Sequence, residues 1–219
     1  IAFFSDTHGK HQSINIPQSD VLIFCGDCMS KGLQIEQAVD FLQWYNELKG
    51  YQYKIMIAGN RDKSFQTRFN TLQLGQYSSI IYLFHQSVKL SINGLDINIF
   101  GSPYTKVFHN SSFSLDQTQE AQEWSKIPSN VDIIITHGPP YKILDKNLFG
   151  QYNGSETLLK RVNEVNPKIH AFGHIHECYG TFKTDNTLFL NVAAVNIVSQ
   201  LKNAPVVVKY DLENRKVVE

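Results

Sequence analysis

IAFFSDTHG (Ile1–Gly9) sets an apolar run directly against two metal-competent side chains, Asp6 and His8. The same arrangement recurs four times along the chain. Val21–Cys25 leads to Gly26-Asp27, and Lys54–Ala58 leads to Gly59-Asn60-Arg61-Asp62. Val131–Thr136 leads to His137-Gly138, and Ile169–Phe172 leads to Gly173-His174-Ile175-His176. Apolar runs that do not alternate with polar residues are what strands covered on both faces look like, as in a parallel sheet.

Helical patterns separate these runs. Ile35–Leu48 puts Ile35, Val39, Leu42, Tyr45 and Leu48 on one face, with Gly50 as the stop. Asp116–Ser125 and Glu156–Val165 are the other helices expected, the second ending just before Pro167. Antiparallel pairs account for the rest. Val88–Ile92 and Leu95–Phe100 flank Asn93-Gly94, a pair suited to a type I′ turn. Thr181–Lys183 faces Leu188–Val192, and Val206–Tyr210 faces Lys216–Val218. The expectation is an α/β assembly of mixed sheets, one domain over residues 1–219.

Lys plus Arg number 20 and Asp plus Glu number 20, so the net charge is zero. Capture of nucleic acid normally needs a basic excess, and none is seen. A phosphate substrate must therefore be met locally, by metals or a few cationic side chains. Three cysteines (Cys25, Cys28, Cys178) fit reduced thiols in a cytoplasmic protein rather than a disulfide framework. Cys25 and Cys28 form a C-x-x-C, but no second pair completes a zinc site. No apolar run approaches the roughly 20 residues of a membrane span. Ile1 already lies inside an apolar run, so the chain is expected to start upstream of it. The sequons at Asn110 and Asn153 are expected to be unused, since no secretory signal is visible.

In open α/β sheets the ligand crevice lies at the carboxyl ends of the strands. All five buried runs thus deliver polar groups to one edge. Asp6/His8 and His174/His176 are i, i+2 pairs, which an extended backbone would point to one side. Gly26, Gly59, Gly138 and Gly173 flank the polar groups and permit close backbone approach. Imidazole nitrogens with carboxylate and amide oxygens suit Mn, Fe, Zn or Co, and point away from Ca and Mg. The donors are too many for one tetrahedral ion and enough for two. Two divalent ions roughly 3.5–4 Å apart repel each other, so a bridging anion is needed, and Asp27 is the candidate. His85, His109 and His170 are expected to play no part, while His11, three residues beyond His8, is a secondary candidate.

D-x-H, G-D, G-N-x-[DE], T-H-G and G-H-x-H in this order resemble the calcineurin-like metallophosphoesterase superfamily. The closer resemblance is to the metallophosphoesterase-domain-containing proteins, through SDTHG (5–9), IAGN (57–60), GSPYT (101–105), THGPP (136–140) and GHIHECYG (173–180). The resemblance implies a four-layer α-β-β-α sandwich of two mixed sheets, with two divalent metals at the strand ends. It implies one ion on Asp6, His8, Asp27 and His176, and a second on Asp27, Asn60, His137 and His174. Some relatives carry Gly at the position of His174; this chain keeps the ligand. Asp27, Asn60, Arg61 and His137 are the catalytic candidates. The implied reaction is hydrolysis of small phosphodiesters such as cyclic nucleotides or aryl diesters by a metal-bound hydroxide, manganese being one candidate metal. The same site would also serve a phosphomonoesterase, a protein phosphatase or a nuclease. A non-catalytic scaffold is a further alternative, against which the intact donor set argues.

Arg61 departs from the superfamily. Many members carry His there, assigned to protonating the leaving group. Arg never gives up its proton, so it can hold a phosphoryl oxygen but not act as that acid. Either Arg61 serves the substrate, or it merely pairs with Asp62. In the first case the enzyme depends on leaving groups that need little acid help, or on another donor such as His11. For the organic part of the substrate, Tyr104, Phe108, Tyr141 and Phe149 are candidate stacking residues, carried on the loops Cys28–Gln34, Pro103–Ser114 and Tyr141–Gly154.

Overall fold

In the computed structural model, described for all residues except 31–33, 108–110 and 219, the buried runs form two mixed sheets. The first sheet contains β1 (Ala2–Phe4), β2 (Val21–Cys25), β3 (Tyr53–Ile57) and β4 (Ile80–Tyr82), all parallel. The second contains the hairpin β5 (Gln86–Ile92) and β6 (Leu95–Ser102). A small parallel pair, β7 (Thr105–Lys106) and β8 (Ser114–Leu115), follows it outside both sheets. The second sheet continues with β9 (Ile133–Thr136), β10 (Ile169–Phe172), β11 (Gly180–Lys183) and β12 (Leu188–Asn191). Its order is β11-β12-β10-β9-β6-β5, parallel in the middle and antiparallel at both edges. The chain then returns to the first sheet as β13 (Val206–Val207), antiparallel to β1, before the hairpin β14 (Lys209–Asp211) and β15 (Lys216–Val218).

Each β1 and β2 side chain is buried because each strand face meets a different layer. Phe3, Val21, Ile23, Ile55 and Ile57 face the second sheet's Ile97, Ile99, Ile133, Ile135 and Ile169 across a dry middle layer. Ala2, Phe4, Leu22 and Phe24 point outward to helix α1 (Ile35–Glu47), through Ala38, Phe41, Leu42 and Tyr45. Two short helices follow β3, α2 (Lys63–Thr67) and α3 (Phe69–Leu72). On the far side, α4 (Gln117–Trp124) and α5 (Glu156–Val165) cover the second sheet with Trp124, Leu158, Val162 and Val165. The layers therefore run α-β-β-α, as expected.

Local chemistry fixes the helix ends. Asp116 and Gln119 form a capping box at α4, and Ser155 caps α5 while Asn166 ends it in a left-handed turn. Lys54 reaches from β3 to the last turn of α1 and donates to the carbonyls of Tyr45, Asn46 and Leu48 at 2.8, 2.6 and 2.9 Å. That cation on the carboxyl end pins α1 over the strand.

One expectation needs correction, and one strand was not expected. Val206–Tyr210 is not one strand: Val206–Val207 pairs with β1, and only Lys209–Asp211 faces Lys216–Val218. The open backbone edge of β1 takes the first half, and Val208, buried in the middle layer, sits where the chain changes partner. Ile80–Tyr82 is a parallel strand that the sequence did not announce, three half-buried residues with no polar terminus of their own. Among the described residues, no helix is long and apolar enough to cross a membrane.

Candidate active site

The five strand ends meet where the two sheets touch. The Ser5 amide donates to the Val192 carbonyl at 3.0 Å, and the Ala194 amide donates back to Ser5 at 3.0 Å, joining β1 to the end of β12. The Asp6 amide donates to Gly26 at 2.8 Å, and that of His8 to Asp27 at 3.2 Å. On the other sheet, β6 and β9 pair Ser102 with Thr136, and the Gly173 amide reaches the His137 carbonyl at 3.1 Å.

Asp6, His8, Asp27, Asn60, His137, His174 and His176 all arrive in one cluster. His176 Nε2 lies 3.3 Å from Asp6 Oδ1 and 3.2 Å from His8 Nε2. Asp27 turns Oδ2 toward His8 Nε2 at 3.9 Å and Oδ1 toward His137 Nε2 at 3.4 Å. Asn60 Oδ1 lies 2.9 Å from both His137 Nε2 and His174 Nδ1. Asp6, His8 and His176 form one group with metal-ligand spacing, and Asp6, Asp27 and His137 form another.

The pairs do not converge on an extended backbone, which corrects the sequence reading. Asp6, His8, Asp27 and His174 have φ of 51°, 44°, 62° and 68°. Each is a left-handed turn that swings its side chain inward. Asp and His tolerate this region better than most residues, but it still costs about 1–3 kcal/mol each and persists only where surroundings over-determine it. The surroundings are tight: a Cβ at Gly59 would strike Asp27 and His137, and one at Gly173 would strike Asp6 and Ser5.

Hydrogen bonds behind the cluster set its tautomers. His8 Nδ1 donates to the Met29 carbonyl at 3.0 Å, and His137 Nδ1 donates to that of Cys25 at 2.9 Å. Each ring is left with Nε2 aimed at the cluster, the arrangement expected of a metal-ligating histidine. His8 and His176 then face each other nitrogen to nitrogen, a contact that needs a proton or a cation between them. The donor set fits a divalent cation.

Charges follow from this geometry. Burial alone would raise the pKa of Asp6, but the His176 hydrogen bond and the charges of His137, His176 and His8 hold it well below the ordinary value. Burial opposes the imidazolium of His137, yet Asp27 and then Asp6 raise it to about 10. His174 goes the other way, pushed down to about 4 by burial and then by His137. The Asp27 and Asp6 carboxylates thus favour the protonated form of His137.

The cluster floors a cavity of about 340 Å³ lined further by Arg61, Lys106, Asn153 and Glu177. Val107, Leu148, Phe149 and Tyr152 form its apolar rim, 54, 65, 86 and 43 % exposed. Of the stacking candidates, Phe149 is at the cavity. Tyr104 packs instead between Phe84, His85 and Trp124, and Tyr141 stands edge-on behind Tyr152. Phe108, like His109 and the Asn110 sequon, lies outside the described residues. Tyr152 and Lys106 escaped the sequence reading, since neither follows a buried strand.

Arg61 donates its amide to Asp27 Oδ1 at 2.7 Å and lines the cavity. It does not pair with Asp62, whose carboxylate turns inward to the amides of Asp27, Met29 and Gly59. His11 is not a donor to the cavity either. It is buried against Phe41 and Trp44, with Nε2 3.2 Å from Asp40. His85 bonds Ser102 and the Glu123 carbonyl, and His170 bonds Thr136, so both are structural as expected.

The Calcineurin-like phosphoesterase family profile matches residues 1–178. Human and mouse Metallophosphoesterase domain-containing protein 1 are each 35% identical over 231 residues, covering 93% of this chain and 68% of theirs. A Thermus thermophilus protein shares the fold with a TM-score of 0.63 at 13% identity, covering 99% of this chain and 96% of its own. Phosphopantetheinyl Hydrolase from Mycobacterium tuberculosis does so with 0.61 at 14%, covering 90% of each chain. With its strand-end donor cluster and these likenesses together, the chain belongs to the calcineurin-like phosphoesterases, metal-dependent hydrolases of phosphoester bonds.

Proposed function

We propose that this chain is a two-metal phosphodiesterase acting on small phosphodiesters whose leaving group departs as a stable anion. Asp6, His8, Asp27 and His176 would hold one ion, and Asp27, Asn60, His137 and His174 the other. The single observation that carries the dinuclear reading is Asp27, whose two oxygens face His8 on one side and His137 on the other. Two such ions supply charge against the phosphoryl oxygens and lower the pKa of water toward about 7.

The chain's own residues do the rest. Arg61 sits at the cavity wall with its backbone fixed to Asp27, so its planar fork can take two phosphoryl oxygens. It keeps its proton throughout. Neither it nor buried His11 can protonate a departing alkoxide, which favours aryl or other acidic leaving groups over simple alkyl ones. The organic part of a diester rests on Val107, Leu148, Phe149 and Tyr152. A diester brings two organic groups to this wall where a monoester brings one, and this supports the diester over the monoester reading. A cyclic nucleotide is a small diester but expels a ribose alkoxide, so on this reading it is hydrolysed more slowly than an aryl diester.

The test compares bis(4-nitrophenyl) phosphate with a simple alkyl phosphate monoester, both with added Mn²⁺. Faster hydrolysis of the aryl diester is expected. Alkyl monoester hydrolysis at an equal or greater rate contradicts the reading.

A further inference from the structure

The Asp62 carboxylate belongs to neither metal set and does not line the active-site cavity, yet it is fully buried. It accepts four hydrogen bonds from two loops. Oδ2 accepts from the amides of Asp27 and Gly59 at 2.9 and 2.8 Å. Oδ1 accepts from the Met29 amide at 2.9 Å and the Cys28 thiol at 3.3 Å.

Every donor stands beside a residue of the cluster. Asp27 gives its own amide, Gly59 precedes Asn60, and the Met29 carbonyl holds His8 Nδ1 at 3.0 Å. We propose that Asp62 is the positioning residue of the centre, its two oxygens setting Asp27, Asn60 and His8 at their mutual distances. The inference rests on the dinuclear reading above. It also explains how Asp27, with φ of 62°, is kept in a left-handed turn that needs an over-determining environment.

A carboxylate suits this task better than an amide. It offers about four lone-pair sites and no donor, so four incoming donors satisfy it completely. Bonds to a charged acceptor are also stronger than neutral ones. An Asn here presents one oxygen to one pair of donors and turns its NH₂ against the other pair. Either orientation drives one loop away from the cluster.

The experiment is D62N, loaded with Mn²⁺ and followed by equilibrium dialysis, electron paramagnetic resonance and thermal melting of the metal-free form. The wild type should bind a pair of ions with an exchange-coupled spectrum. The variant should still melt cooperatively while losing the coupled spectrum and binding Mn²⁺ about 10–100-fold more weakly, the usual penalty for an outer-shell partner. A variant that keeps both the coupled spectrum and the affinity overturns the inference alone. A wild type without a coupled pair overturns the dinuclear reading, and the inference with it. Where D62N does not fold, hydrogen exchange in the wild type decides. The amides of Asp27, Met29 and Gly59 should exchange slowly, and more slowly still with Mn²⁺. Exchange as fast as in exposed loops contradicts the role.

Discussion

The floor and the rim of the cavity obey different rules. Every floor residue sits within a few positions of a buried strand end, and the donor side chains there are buried or nearly so. The rim is carried by loops, and its most prominent side chain, Phe149, is 86 % exposed. The floor is over-determined: four of its seven donors are in left-handed turns, two rings have their tautomers set by backbone carbonyls, and Asp62 ties its loops together. The rim is held by much less. On the proposed function, chemistry belongs to the floor and substrate choice to the rim, and substitutions should separate along that line.

The largest effect is expected at the centre of the floor. Asp27→Asn removes the carboxylate whose two oxygens face His8 and His137, and kcat should fall on the order of 1,000-fold or more, beyond the roughly 10–100-fold of an outer-shell change. A steady-state assay of the Mn²⁺-loaded variant checks this. Activity within tenfold of wild type would remove Asp27 from the bridge. Arg61→Ala comes next. It should cost about 10²–10³-fold in kcat, as loss of one fixed donor to developing charge does. Arg61→Lys should recover part of it. A change confined to KM would assign Arg61 to binding alone and move it from floor to rim.

Phe149→Ala sharpens the comparison from the other side. Losing one ring contact, about 0.5–1.5 kcal/mol, should raise KM for an aryl diester roughly 2–10-fold while leaving kcat and the metal content unchanged. A fall in kcat without a KM change would mean that the rim shares in the chemistry.

The smallest effect lies behind the floor. His170 donates to Thr136, which in turn donates to the Gly138 carbonyl and so holds the turn bearing His137. Burial pushes His170 from its ordinary 6.5 down to about 3. Between these values the unfolded chain binds a proton that the native chain does not, so stability falls as pH drops through that window. His170→Gln can still donate to Thr136 but does not titrate. Its melting temperature should fall less steeply between pH 6.5 and 4 than that of the wild type. Parallel slopes would show that His170 is not held neutral.

The difference between floor and rim also explains what the sequence made legible. Runs such as Val21–Cys25 announce strands because both faces are covered, and the residues after them are placed by the sheet itself. That the seven residues of the cluster meet at one edge was readable for that reason. Ile80–Tyr82 was not, being short and half-buried at a sheet edge. The split of Val206–Tyr210 depended on the open edge of a strand two hundred residues earlier, which no local pattern encodes. Left-handed turns at Asp6, His8, Asp27 and His174 were missed because Asp and His only tolerate that conformation and do not demand it. The inward turn of Asp62 was hidden by its neighbour, since a local ion pair with Arg61 was the one partner the sequence offered it. Tyr152 and Lys106 reach the cavity by the path of loops.

The central claim is a pair of ions joined by Asp27. Anomalous diffraction from crystals grown with Mn²⁺ tests it most directly. The account predicts two peaks roughly 3.5–4 Å apart, one among Asp6, His8 and His176, the other among Asn60, His137 and His174, with the Asp27 carboxylate between them. A single peak, or two peaks that Asp27 does not join, would contradict it.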